Sequence, residues 1–393
     1  MGDSTLKRIL SYENLLGFGI VNIMGSGGFN LIGDAVISGG TQFPLALAAT
    51  SALFQGASLT YQEAYSAFKT NTSESDLIQK EFGGAAAAAS AAGILAFNLI
   101  STSTVLVICA KLLFPSGSWT GQISFALLIL LAMMIASLKG IELDKDIISA
   151  AGMGVVSLLS FAAMIGLIEL GVKGAPTALP TSLEVKHSFI HSVIYFYFIL
   201  AGFDALMKFA EETKNPDEDL PRSFYSSNAL STLLTVGVCL AFLLVFTTHK
   251  FKENENIVAR IVGTVLGPSA ESATAILSIG LMIVSGFVTF LASSRYMFSE
   301  AGELKGFEQL RELNEVKAPW KTILLVTVII AIGILNNNIY ELVKFSDIAL
   351  TVTLLLVSAA ATKMQVERGK LPWIEAATTA GLGALLSACI IYR

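Results

Sequence analysis

Two stretches of this sequence carry groups whose types and spacing suit the handling of a small ligand. The first is Gly17-Phe-Gly-Ile-Val-Asn-Ile-Met-Gly-Ser-Gly-Gly-Phe29, an apolar run broken by Gly25, Ser26, Gly27 and Gly28 just after Met24. Each glycine inside a helix costs about 1 kcal/mol relative to alanine, so a helix is expected to open there. The second runs from Phe196 to Arg222, weakens at Ala201-Gly202, and carries Asp204 before a polar exit. Backbone groups released at membrane depth cost several kcal/mol each unless something bonds them. A ligand resolves that cost. Amides from Ser26 to Phe29, at the positive start of a half-helix, suit a carboxylate, and carbonyls at Ala201, Gly202 and Phe203 suit an ammonium. Phe198 or Phe203 would be the aromatic lid, and Asp204 would link occupancy or protonation to an inner gate. For a lone Gly-x-Gly, close helix packing is the plainer explanation; two matching breaks beside a carboxylate favour a site.

The elements that position these groups are membrane helices. Hydrophobic residues make up 54% of the 393 and charged residues 14%, where a soluble chain carries roughly a quarter charged. Charge-free runs at 35–62, 82–110, 112–138, 147–168, 188–203, 223–248, 272–294, 322–340, 348–362 and 376–392, with 14–33, predict eleven spans. Several exceed the roughly 20 residues needed to cross the hydrocarbon core. The first ten divide into five plus five, with the interrupted helices at positions one and six. Because five is odd, the second set enters the membrane in the opposite sense, which is an inverted repeat. The expected halves are residues 1–170 and 171–363, with 364–393 as an accessory eleventh span. Placing the N-terminus in the cytoplasm puts 17 of the 25 Lys and Arg inside, which agrees with the positive-inside rule. The cell membrane is the expected residence, and Asn71-Thr-Ser, a glycosylation sequon, is expected inside and bare.

Other polar residues fall within the spans. Asp204 is costly at depth and marks function; its structural alternative is a pair with Lys208, one turn on. Asn98 in span three either reaches a substrate or bonds a neighbouring helix. Asn22 lines the cavity or bridges to span eight. Ser293 and Ser294 supply oxygens for a possible sodium site, although serines in helices more often bond their own backbone. Asp347 in span ten either favours cationic substrates or neutralises Lys344. His187 and His191 lie near the outer end of span six, and Glu63 and Arg295 near inner ends, where they would form a gate pair or sit at the interface. Glu211–Arg222 reads as a solvated linker, with Asn215-Pro216 ending the helix. The three cysteines, Cys109, Cys239 and Cys389, read as packing residues inside spans. The first residues show no cleavable signal pattern. No metal cluster, cofactor motif, catalytic triad or nucleic-acid-binding basic face is expected, so enzyme and nucleic-acid classes are set aside.

Gly25-Ser-Gly-x-Phe29 resembles a signature of the amino acid–polyamine–organocation transporters. So does Gly202-Phe203-Asp204 followed by Glu211-Glu212-x-Lys214-Asn215-Pro216 and Pro221-Arg222. Tyr61-Gln-Glu63, Ser294-Arg295-Tyr-Met-Phe-Ser-Glu-Ala-Gly302 and Ala318-Pro319-Trp320 extend the likeness from about Ser11 to Lys363. The resemblance implies an all-α polytopic fold of the leucine-transporter type and carriage of an amino acid or a polyamine-like amine. This chain departs from the family in three places. Asp204 stands where Glu is usual, the end of span eight is altered, and Gly154 or Val155 occupies the span-five position where some proton-coupled relatives carry lysine. The implied function is secondary active transport by alternating access, coupled to a proton or sodium. An uncoupled exchanger, or a transport-inactive scaffold or receptor on the same fold, are the alternatives.

Overall fold

The structure is a computed structural model that describes residues 8–115, 117–140, 145–173, 189–245, 255–301 and 308–391. Fourteen α-helices account for most of the described chain. Span one is split into α1 (Tyr12–Gly27) and α2 (Leu31–Gly39). The next helices are α3 (Phe43–Phe68), a short α4 (Ser73–Phe82), α5 (Gly84–Leu113), α6 (Trp119–Leu138) and α7 (Lys145–Lys173). Span six is also split, into α8 (Phe189–Leu200) and a 3-10 segment, Phe203–Glu212. Then follow α9 (Pro216–Val245), a short α10 (Ile257–Leu266), α11 (Pro268–Glu300), α12 (Trp320–Asn336), α13 (Ile339–Glu367) and α14 (Trp373–Ile391). Eight segments are long and apolar enough to cross a membrane by length and composition. With the α1–α2 pair, α3 and α12 they make the eleven spans of a five-plus-five inverted-repeat core and one further helix.

The solvent these helices face is apolar. Leu128, Met153, Leu233, Ile276 and Ile332, on five different helices, are each 62–69% exposed, a distribution that suits lipid and not water. Inside, helices approach through small residues. A Cβ on Gly17 of α1 would lie 2.9 Å from the Ser149 backbone of α7, and one on Gly152 would lie 2.6 Å from the Gly17 carbonyl. Where lipid gives no hydrophobic drive between helices, such contacts supply the packing.

Local chemistry sets the ends. Ser11 caps α1, accepting from the Asn14 amide while its own amide donates to Asn14 Oδ1 at 3.1 Å. Ile9 and Lys214 then tie the chain's start to the end of span six, their amides donating to Glu212 O and Leu10 O at 2.9 Å. Two expected boundaries move. The charge-free run 35–62 is the end of α2 plus most of α3, because Asp34 sits inside α2. Asn215-Pro216 begins α9 and ends nothing. Pro216 takes the first helical position, where its missing N–H costs little, and the Glu218 and Asp219 amides donate to Asn215 O at 3.1 and 2.8 Å. Residues 216–222 are therefore the first turns of α9, held by Gln62 donating to Pro221 O and by Arg222 over the Tyr12 ring. His187 lies outside the described residues; His191 stacks on Tyr340.

Candidate functional site

The two interruptions meet. Asn22, about two turns before the break in span one, donates from Nδ2 to Gly202 O at 2.7 Å. Thr289 of α11 donates to Asn22 Oδ1 at 3.0 Å. One buried amide therefore joins span one, the break in span six, and span eight, which is the bridging role expected of it. Gly202 needs to be glycine: its φ is +117°, and a Cβ would lie 2.9 Å from Asn22 Nδ2.

The break in span one sits later than the glycines suggested. Gly25 and Gly27 are helical, and the Gly28 amide donates back to Met24 O at 2.9 Å. The outer half-helix begins at Leu31, so Ser26–Phe29 is not its start; the Ser26 side chain lies outside the described residues. Gly25 has a packing reason, since a Cβ there would meet Ser285 of α11 at 2.6 Å. Gly27 faces Phe198 and Ile199, so the span-one turn and the end of α8 are neighbours. Asn30 precedes α2 without capping it by a side chain, and the first amides of any helix lack intrahelical partners. The Phe29 carbonyl is taken by the Ile257 amide of α10 at 3.0 Å.

The structural alternative for Asp204, a pair with Lys208, is not formed. Both carboxylate oxygens of Asp204 are buried without a hydrogen-bond partner, and the residue is 1% exposed. Lys208 instead pairs with Glu74 of α4 and lies 4.2 Å over the Tyr296 ring. Asp204 is within electrostatic reach of Lys208, Glu74, Tyr61 and Tyr296. Asp347 is likewise fully buried on α13 with both oxygens unpartnered, near Tyr197.

The remaining candidates divide. Phe203 packs edge-on against Phe54, Tyr61 and Phe224 in an aromatic wall between α3 and α9. Phe198 and Ala201 are each 1% exposed at the break. Asn98 is buried on α5 and makes no side-chain hydrogen bond among the described residues. Ser293 and Ser294 donate to their own helix, at Thr289 O and Leu291 O. Ser293 still shares with Ser285 and Thr289 the α11 face that meets α1, since positions four apart stack on one side; Ser294 does not. Glu63 accepts from Gln365 of α13. Among the described residues no group of three or more His, Cys, Asp or Glu is placed to hold a metal. Sequence reasoning missed Glu74, whose partner is distant in the chain, and Thr289, which carries no pattern of its own.

A family model described as amino acid permease matches residues 10–392. The chain belongs to the amino acid permease family. This permease is also similar in fold to a structure described as the crystal structure of MhsT in complex with L-phenylalanine. The TM-score is 0.61 at 15% identity, covering 98% of this chain and 99% of that one. At that identity the likeness speaks for the fold. No curated protein matches the permease. Family and fold together make it an integral membrane transporter of the leucine-transporter architecture, within the amino acid–polyamine–organocation group.

Proposed function

We propose that this permease carries an amino acid or small organic amine by alternating access, coupled to a proton. The observation that carries the reading is the joined pair of breaks, Asn22 bonded to Gly202, with the unpartnered Asp204 carboxylate two residues on. In this reading the substrate carboxylate lies against the first amides of α2, past the turn that Met24 and Gly25–Gly28 lead into. The ammonium takes carbonyls around Ala201, at the negative end of α8. The amino acid reading agrees with the L-phenylalanine named for the fold neighbour. Phe198 closes over the site, whereas Phe203 holds the wall behind it. Asn98 faces the site from span three, and Asp347 favours substrates with a second positive charge. Ser293, on the α1 face of α11, is the remaining protein oxygen for a sodium ion if one replaces the proton.

The proposed halves are 1–170 and 171–363, with 364–393 accessory. Within each, the described helix order is the same: broken, long, short, then three long. Loop charges orient the α4 end toward the cytoplasm, and the cell membrane is the proposed residence. The test is uptake by liposomes of a labelled panel of neutral and cationic amino acids and polyamines, with proton or sodium gradients, alongside Asp204→Asn. Gradient-driven accumulation that the substitution abolishes is the expected result. Uptake seen only with preloaded vesicles identifies an exchanger. No uptake of any member, with thermal stability unmoved by every candidate, turns the reading to a scaffold or to a substrate outside this class.

A further inference from the structure

Three charges share one buried space at the α4 end. Glu74 and Asp204 are 0% and 1% exposed, and the Lys208 side chain, paired with the first and within electrostatic reach of the second, is 15% exposed. Lys208 pairs with Glu74, leaving the second Glu74 oxygen and both Asp204 oxygens without hydrogen bonds. The Tyr61 hydroxyl is also buried and unpartnered. Two carboxylates and one ammonium leave the group one positive charge short when all are ionised, and an uncompensated buried charge is strongly unfavourable.

Lys208 is four residues from Asp204 on the same segment, and its flexible four-carbon stem lets the ammonium serve either acid. It cannot satisfy both through the same geometry. We propose that Lys208 is an internal counterion shared by Glu74 of α4 and Asp204 of span six, and that its choice between them sets whether the α4 end is sealed. With Lys208 on Glu74, α4 is fastened across the inner half of span six, and a proton or substrate ammonium neutralises Asp204. When Lys208 moves to Asp204 it displaces that cation toward the α4 end and releases Glu74 in the same step. The Tyr61 hydroxyl is the donor at hand for whichever carboxylate is left. Release and opening are thus one exchange of partners. This rests on the alternating-access reading, but the choice of partner is measurable without transport.

The test is hydrogen exchange of the intact permease in nanodiscs, followed over Ser73–Phe82 and Phe203–Glu212. Glu74→Gln removes the fastening and is expected to speed exchange in Ser73–Phe82 by about tenfold or more. Asp204→Asn removes the competitor, so exchange in the same peptide should slow by about threefold or more. A pair that is only structural does not respond in that second direction. Asp204→Glu, which keeps the charge, should stay within about twofold of the parent and shows that the site tolerates substitution. Unchanged or faster exchange in Asp204→Asn, with Asp204→Glu near the parent, overturns the proposal. So does a Glu74→Gln variant as protected as the parent. If the protection shifts appear but the liposomes take up no solute, the transport reading fails and the shared counterion stands. The reverse outcome separates them the other way.

Discussion

Breaking the Asn22 bridge tests whether the two interrupted helices are energetically joined or merely adjacent. Asn22→Leu keeps most of the side-chain volume and removes both bonds, the donor to Gly202 O at 2.7 Å and the acceptor for Thr289 at 3.0 Å. In a water-soluble protein each would contribute about 1 kcal/mol, and the stranded acceptor would add about 1–3 kcal/mol. Inside a membrane the unfolded reference also finds partners, and interhelical bonds average about 0.6 kcal/mol with a maximum near 1.7. The membrane figures govern here, because both bonds cross between spanning helices. The expected loss is therefore about 1–3 kcal/mol for Asn22→Leu, and about 0.6–1.7 kcal/mol for Thr289→Val alone. The double variant should fall short of the sum by about the strength of the shared bond. Equilibrium unfolding by SDS from mixed micelles measures all three. A loss under about 0.3 kcal/mol for Asn22→Leu, or strict additivity with Thr289→Val, would refute the bridge.

Gly25→Ala places a methyl 2.6 Å from Ser285 Cβ and should cost about 1–3 kcal/mol by overpacking. Ser285→Gly in the same chain should restore most of it in the same unfolding assay, whereas no restoration would mean that Gly25 is needed for something other than helix approach. Asn71 in its sequon accepts the Glu211 amide at 2.9 Å, tying the turn before α4 to the end of span six. Expression in glycosylating cells should leave it bare by mass spectrometry; a glycan there would reverse the proposed orientation.

The features visible in the sequence were those written in local composition. Glycine runs and an acid at membrane depth mark broken helices wherever they occur, because backbone cost and charge cost are properties of single residues. The bridge at Asn22 was visible as one of two options, and geometry chose. What stayed hidden depended on distance along the chain. Local spacing offers Lys208 the acid Asp204, four residues away, as a partner, whereas it pairs with Glu74, 134 residues off, on a helix too polar to look like part of a core. The start of the second run drifted because counting charge-free residues begins anew after Asp34, although a helix can bury one acid and continue. The break in span one lies later because Gly25 and Gly27 serve helix packing. Asn215-Pro216 looks like a stop and is a start, since proline at the first helical position and proline after a helix look alike in a linear string.

The two short helices, α4 and α10, occupy equivalent places in the proposed halves, and each fastens the broken helix of the other half. Helix α10 holds span one through a backbone bond, the Ile257 amide donating to Phe29 O at 3.0 Å. Helix α4 holds span six through an ion pair, Glu74 with Lys208. Inversion puts these fastenings at opposite ends of the bundle, so together they bracket the space between the breaks. Their chemistry differs in a way that assigns them different duties. A neutral backbone bond responds little to an arriving charge, so on the proposed reading the α10 end opens through packing around the substrate itself. A buried ion pair beside a second, unpartnered carboxylate responds to each charge that enters or leaves. On the proposed alternating-access reading, a carrier near-symmetric in helix order is thereby asymmetric in what its two ends sense, and the α4 end is where an ion gradient would act on the direction of transport.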